Sequence, residues 1–215
     1  LTLKDGKGAK ATGESAARIS ALISLPCAVG LAVLAQPVVQ LLGGYSGERL
    51  TLATQLMAVL GVCIVFNATV LLTNAIMQAH GPEKLPVVNM FVGGFLKLAA
   101  VFILTDNPLI GILGAPIGSL LCYLSITVLN LFTMRRVLTD PPAIVKNMLR
   151  ALAAAALMGV CAWGTWQGLI MLMGPGMSAS IACGVPIAVG GLIYLVAAIK
   201  FRAITREDCL LLPKG

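Results

Sequence analysis

Charged residues divide this chain into long apolar segments. Four segments contain no Asp, Glu, Lys or Arg, namely residues 19–47, 50–82, 107–134 and 151–199. A helix needs about 20 apolar residues to cross a hydrocarbon core of roughly 30 Å, so each of the first three can cross once. The fourth can cross twice, because Gly174-Pro175-Gly176 divides it. A further apolar segment, residues 85–105, is interrupted only by Lys97.

This pattern predicts an all-α protein, a polytopic transmembrane bundle of six helices. The predicted spans are residues 19–43, 53–79, 85–105, 109–133, 151–172 and 179–199. Backbone groups in lipid must be hydrogen-bonded within their own segment, which favours helices for spans this long. The predicted domains are a basic loop, four helices of one lobe, a second basic loop, two additional helices and a tail: residues 1–18, 19–134, 135–150, 151–199 and 200–215.

Basic residues sort to one side of the predicted membrane. The two basic loops, the turn with Lys84 and the tail hold 13 Lys and Arg, whereas the opposite loops hold only Arg49. The positive-inside rule therefore predicts a multi-pass protein with both ends of the chain in the cytoplasm. The net charge of +7 then serves topology and contact with membrane lipids, and we expect no nucleic-acid binding.

Composition agrees with a membrane protein and argues against an enzyme of the soluble type. The chain is 59% hydrophobic and 11% charged, with a mean hydropathy of +0.98. Its six cysteines occur singly, without a C-x-x-C pair or a Cys/His cluster, so no metal site or other cofactor is expected. It has no Ser/His/Asp set, carboxylate pair or phosphate-binding loop, and we predict no catalytic residues.

Lys97 is the principal candidate for a functional residue. It lies close to the middle of the third predicted span, where an ionisable group costs about 2.5–3.5 kcal/mol on insertion scales. Asn89, Gly93 and Lys97 are four residues apart and therefore share one helical face, suited to line a wet substrate cavity. The alternative is a lysine whose long stem carries its ammonium to the membrane interface.

The second predicted span offers further polar residues. Asn67, Asn74 and Gln78 are candidates to line the same cavity. Hydrogen bonding between helices is the alternative role, because amide side chains in lipid pair across helix interfaces.

Three residues are candidates for hinges. Pro26 and Gly30 lie in one half of the first span, and Pro116 lies in the fourth. Proline removes a helix hydrogen bond and bends the helix, and bent helices allow a transporter to alternate between two access states. The alternative is that the bends are static features of shape.

Several motifs spread along the chain resemble the stage V sporulation protein B group of polysaccharide biosynthesis proteins. They are Leu25-Pro26-Cys27-Ala28-Val29-Gly30-Leu31 with Leu34-Ala35-Gln36-Pro37, Gln78-Ala79-His80-Gly81-Pro82, Gly94-Phe95-Leu96-Lys97, Ile110-Gly111-Ile112-Leu113-Gly114-Ala115, and Glu207-Asp208 with Leu212-Pro213-Lys214-Gly215. The resemblance implies a member of the multidrug/oligosaccharidyl-lipid/polysaccharide exporter superfamily. Such proteins have two helical lobes around a central cavity.

The same resemblance implies a place and a role for the six spans. They would be helices nine to fourteen of a fourteen-helix protein, with the remaining N-terminal lobe as their partner. The implied function is flipping an undecaprenyl-pyrophosphate-linked oligosaccharide, lipid II-like or another polysaccharide precursor, across a bacterial plasma membrane by alternating access. This would serve peptidoglycan synthesis or sporulation.

Two other functions remain open at this point. One is a cation-coupled multidrug exporter of the same superfamily, which ordinarily needs an intramembrane carboxylate. None of the six predicted spans contains Asp or Glu. The other is a non-transporting membrane scaffold for envelope or spore assembly.

Overall fold

The chain forms long helices that follow one another with short connections. A computed structural model describes residues 6–80, 84–107, 110–138, 142–174 and 178–200. Within these ranges it holds a short 3₁₀ helix, Gly111–Leu113, and seven α-helices: α1 Gly6–Val33, α2 Ala35–Gly43, α3 Gly47–His80, α4 Lys84–Thr105, α5 Gly114–Val137, α6 Ile144–Met173 and α7 Ala179–Lys200. Six of them, all except α2, are long and apolar enough to cross a membrane. The predicted fold class is confirmed.

The six long helices pack as a row. The order of contacts is α4, α5, α3, α1, α6, α7, and the short α2 packs against α3 and α7. We call the end of the bundle at which α1, α4 and α6 begin the basic end. Exposed basic side chains lie there: Lys84, Arg135, Arg136, Arg150 and Lys200.

The first predicted span, residues 19–43, is broken into two helices. α1 ends at Val33, and Leu34 leaves the helical backbone with φ −99° and ψ 21°. The cause lies in Pro37, which has no N–H to reach the Val33 carbonyl four residues earlier and whose ring crowds it. α2 ends at Gly43 and is capped by Gly44, whose φ of +58° is a left-handed conformation that favours glycine.

The structure corrects the predicted loop over residues 1–18, because α1 already begins at Gly6. This part of α1 is held by packing at the basic end. The Ala17 side chain is fully buried in one cluster with Met77, Met134 and Ile144. Packing of this kind, more than local propensity, makes a short polar segment helical.

The predicted loop over residues 135–150 is also shorter than expected, since α5 continues to Val137 and α6 begins at Ile144. The Ala143 amide, at the start of α6, donates a hydrogen bond to Glu14 Oε1 on α1 at 3.2 Å. The predicted tail lies outside the described residues apart from Lys200, which ends α7.

Small side chains fill the contacts among α1, α6 and α7. We call this cluster the alanine core; its buried members are Ala21, Leu25, Ala151, Ala154, Ala155, Met158, Tyr194, Ala197 and Ala198. Small residues allow helix backbones to approach closely in lipid. The approach is tight at Gly159, where an added Cβ would lie 2.5 Å from Val29 Cγ1.

Candidate functional site

α4 has one face turned to the protein and another turned away from it. Pro86, Asn89 and Gly93 are buried, and Lys97, one turn further along, is half-buried. The opposite side carries exposed apolar side chains, among them Phe95 at 77% and Phe102 at 84%. Lys97 therefore continues the buried polar stripe of α4 into the middle of the helix.

The polar groups of this stripe meet partners on α3 and α5. Asn89 Nδ2 donates to Asn130 Oδ1 at 2.9 Å and to Thr133 Oγ1 at 3.3 Å. Asn130 Nδ2 donates to Thr73 Oγ1 and to Asn74 Oδ1, both at 2.8 Å. We call these five residues the amide junction. Asn130 and Thr73 are fully buried within it.

The remaining hydrogen-bond donors of the amide junction, two hydroxyls and one amide, also have partners. Thr73 Oγ1 donates to the Thr69 carbonyl at 2.8 Å, and Thr133 Oγ1 to the Leu129 carbonyl at 2.7 Å. Asn74 Nδ2 lies 3.3 Å from Met90 Sδ. In this conformation, Asn74 and Asn89 join helices to one another. Their exposure to a substrate cavity stays a prediction.

Gly93 is one of three glycines at the contact between α4 and α5. A Cβ at Gly93 would collide with the Ile126 side chain, and one at Gly118 would lie 2.5 Å from Val101 Cγ2. A Cβ at Gly114 would lie 2.9 Å from the Thr105 nitrogen. These glycines allow the two helix backbones to pack closely. Gly93 therefore contributes close packing to the buried face of α4, and not a polar group.

Lys97 lies in a setting without nearby acidic residues. Lys97 is half-buried and shares its helical face with Asn89 and Gly93, which pack against α5. The described residues of α4 and α5 include no Asp or Glu, and α3 carries only Glu48, in its first turn. Within the described part of these helices, no carboxylate is therefore placed to neutralise Lys97 from nearby.

The other two candidates on α3 lie apart from the amide junction. Asn67 is half-buried, two turns from Asn74, and Gln78 is exposed near the basic end. The structure therefore brings Asn74, Asn89, Gly93 and Lys97 to the α3–α4–α5 side of the bundle. It places Gln78 at the end of the same helix as Asn74.

The hinge candidates lie in continuous helical structure. α1 runs through Pro26 and Gly30, and its break lies at Leu34. Pro116 lies in the first turn of α5, where a missing N–H has no helical partner to lose. Their role as hinges stays a prediction.

An apolar cavity of about 290 Å³ adjoins Pro26 and Gly30. It lies between α1, α2, α6 and α7, and its walls include Leu34, Met158 and Pro186.

Asn130 is the residue that sequence reasoning missed. It belongs to the fourth predicted span, and its amide, like those of α3, needed a partner in lipid. The need for a partner could therefore have identified Asn130 as a helix-contact residue. Its position between three helices could not have been predicted, because the sequence does not show which spans are neighbours.

One family model and one characterised relative are similar to this chain in sequence. A family model described as lipid II flippase MurJ matches residues 2–181. The chain is also 24% identical over 200 residues to stage V sporulation protein B of Bacillus subtilis (strain 168), an alignment that covers 93% of this chain and 37% of the relative. No solved structure matches the chain significantly. The resemblance noted in the sequence is confirmed, and the chain spans little more than a third of the length of this curated relative.

Proposed function

Because this chain belongs to the lipid II flippase MurJ family, we propose that it is part of a flippase for an undecaprenyl-pyrophosphate-linked oligosaccharide. The observation that carries the proposal is the family match over residues 2–181, on a chain with six membrane-length helices. The proposed protein works in a bacterial plasma membrane by alternating access, as a transporter and not as an enzyme. Its substrate is lipid II or a related polysaccharide precursor.

The chemistry of such a substrate calls for a cationic path through the membrane. A pyrophosphate-sugar headgroup is strongly hydrated, and moving a charged group into hydrocarbon without a partner is prohibitively costly. Lys97 provides a cation near the middle of α4, on the same helical face as Asn89 and Gly93, which pack against α5. We propose that Lys97 attracts the pyrophosphate during transport, while Asn74 and Asn89 hold α3, α4 and α5 together beside it.

The proposed orientation follows from charge. The basic end is placed at the cytoplasm, where anionic lipids attract basic side chains. The headgroup would therefore enter from the basic end and pass Lys97 on its way outward. Because the chain covers 37% of its curated relative, the remaining lobe of the same protein is the proposed partner that completes the cavity.

The test is complementation with the full-length protein in cells depleted of their own lipid II flippase. We expect wild type and Lys97→Arg to restore growth and Lys97→Ala to fail, at matched abundance in the membrane. Lys84→Ala is the matched control, because Lys84 is an exposed lysine in the first turn of the same helix and should be dispensable.

Other outcomes would redirect the proposal. Equal rescue by all four proteins would leave the flippase in place and remove Lys97 from its substrate path. Failure of wild type to rescue would contradict lipid II as the substrate. Drug export by wild type would then point to a cation-coupled exporter, whereas neither activity would point to a scaffold.

A further inference from the structure

Pro26 leaves one backbone carbonyl of α1 without its usual hydrogen-bond donor. In a continuous helix the amide of residue 26 would donate to the Leu22 carbonyl, but proline has no N–H. In lipid no water is at hand, and an unsatisfied backbone carbonyl is costly. Another donor at the Leu22 carbonyl therefore stabilises a helix that continues through Pro26.

Tyr194 on α7 supplies that donor. Its hydroxyl donates to the Leu22 carbonyl at 2.7 Å, and the tyrosine is 8% exposed. The two residues are 172 positions apart in the chain, so the bond joins separate helices. A buried tyrosine hydroxyl requires a partner, and each of the two groups satisfies the other.

α7 contacts both parts of the broken first span. Besides the bond to Leu22, it packs against α2 beyond the break at Leu34. Pro186 and Gly190 of α7 line the apolar cavity with Pro26 and Leu34. The space beside the break is thus bounded by the same helix that holds α1 at Pro26.

We propose that Tyr194 is a positioning residue that replaces the missing Pro26 N–H and thereby fixes the course of α1 at Pro26. α7 is then a brace for α1 and for the break at Leu34. This brace would act in the same way whichever molecule the protein transports.

The test is a double-mutant cycle in the full-length protein, read by thermal unfolding in detergent. Tyr194→Phe keeps the ring and removes the hydroxyl, and we expect it to lower the midpoint temperature by on the order of 2 °C. Pro26→Ala restores an N–H that reaches the Leu22 carbonyl within α1. In that background we expect Tyr194→Phe to cause no further loss, because Leu22 no longer depends on Tyr194.

Tyr123→Phe is the matched control, since Tyr123 is a half-buried tyrosine of another membrane helix, α5. Its effect should be the same in the wild-type and in the Pro26→Ala background. Equal losses from Tyr194→Phe in both backgrounds would overturn the proposal, and so would no loss in either. If Tyr194→Phe fails to accumulate, restored accumulation of the double variant supports the proposal, and continued failure overturns it.

Discussion

The amide junction joins α3, α4 and α5 through side-chain amides and hydroxyls, whereas the alanine core joins α1, α6 and α7 through small apolar side chains. In the first region, the one side chain of Asn130 bonds to both neighbouring helices. In the second region, close contact of Ala154, Ala155 and their neighbours carries the packing, and Tyr194 adds one directional bond.

The difference teaches how each region can move. Hydrogen bonds between amides are directional and fix the register of two helices, while contacts between alanines are similar at neighbouring registers. We therefore infer that α3, α4 and α5 keep their relative positions more strictly than α1, α6 and α7. The break at Leu34 and the cavity beside it lie in the second region.

The largest effect is expected from breaking the amide junction. Asn130→Ala removes three bonds between helices, each worth about 0.6 kcal/mol in membrane proteins, so we expect a loss of roughly 2 kcal/mol in the free energy of unfolding. Unfolding of the purified full-length protein measures it. Ser125→Ala on the same helix is the control, because the Ser125 hydroxyl bonds within its own helix, to the carbonyl of Leu121 one turn earlier. Equal losses in the two variants would refute the claim that the bonds from Asn130 to neighbouring helices stabilise the protein.

A smaller effect is expected from overfilling the second region. Gly159→Ala places a methyl group against the stiff side chain of Val29, which we expect to cost about 1 kcal/mol. The same unfolding measurement applies, with Gly164→Ala as control, since an added Cβ there meets no atom within 4 Å. Adding Val29→Ala to Gly159→Ala should recover part of the loss. If Val29→Ala recovers no stability, crowding between Val29 on α1 and residue 159 on α6 is not the cause of the loss.

The smallest effect is expected where α1 reaches the start of α6. Glu14→Ala removes the oxygen that accepts from the Ala143 amide, and we expect about 0.5 kcal/mol of lost stability, as for side chains at helix starts. Glu14→Gln keeps an oxygen in place and should lose less. A loss from Glu14→Gln as large as that from Glu14→Ala would show that charge, and not the hydrogen bond, matters there.

Much of the fold could be predicted from the sequence, because hydropathy reports the six spans directly. Helix ends were harder to predict. Residues 6–18 are polar and basic, and they are helical because Ala17 is buried against three other helices. Such contacts follow from the arrangement of the helices, which a linear pattern does not contain.

Prolines illustrate the same limit. Pro26 and Pro37 look alike in the sequence, yet α1 continues through the first and ends before the second. We infer that Tyr194, far along the chain, accounts for the difference, because its hydroxyl donates to the carbonyl that Pro26 leaves without a helical donor. The stripe of Asn89, Gly93 and Lys97 could be predicted from its spacing, but Asn130, its partner on α5, could not.

The polar stripe of α4 has a consequence for biogenesis. α4 is synthesised before α5, so Asn89 emerges before its partner Asn130 exists, and Lys97 emerges before α5 can cover the helical face on which it lies. A lone α4 would expose this stripe to lipid acyl chains, at a cost of a few kcal/mol for the lysine. We therefore expect α4 to remain beside the insertion machinery until α5 emerges, and the two helices to enter the bilayer together as a hairpin.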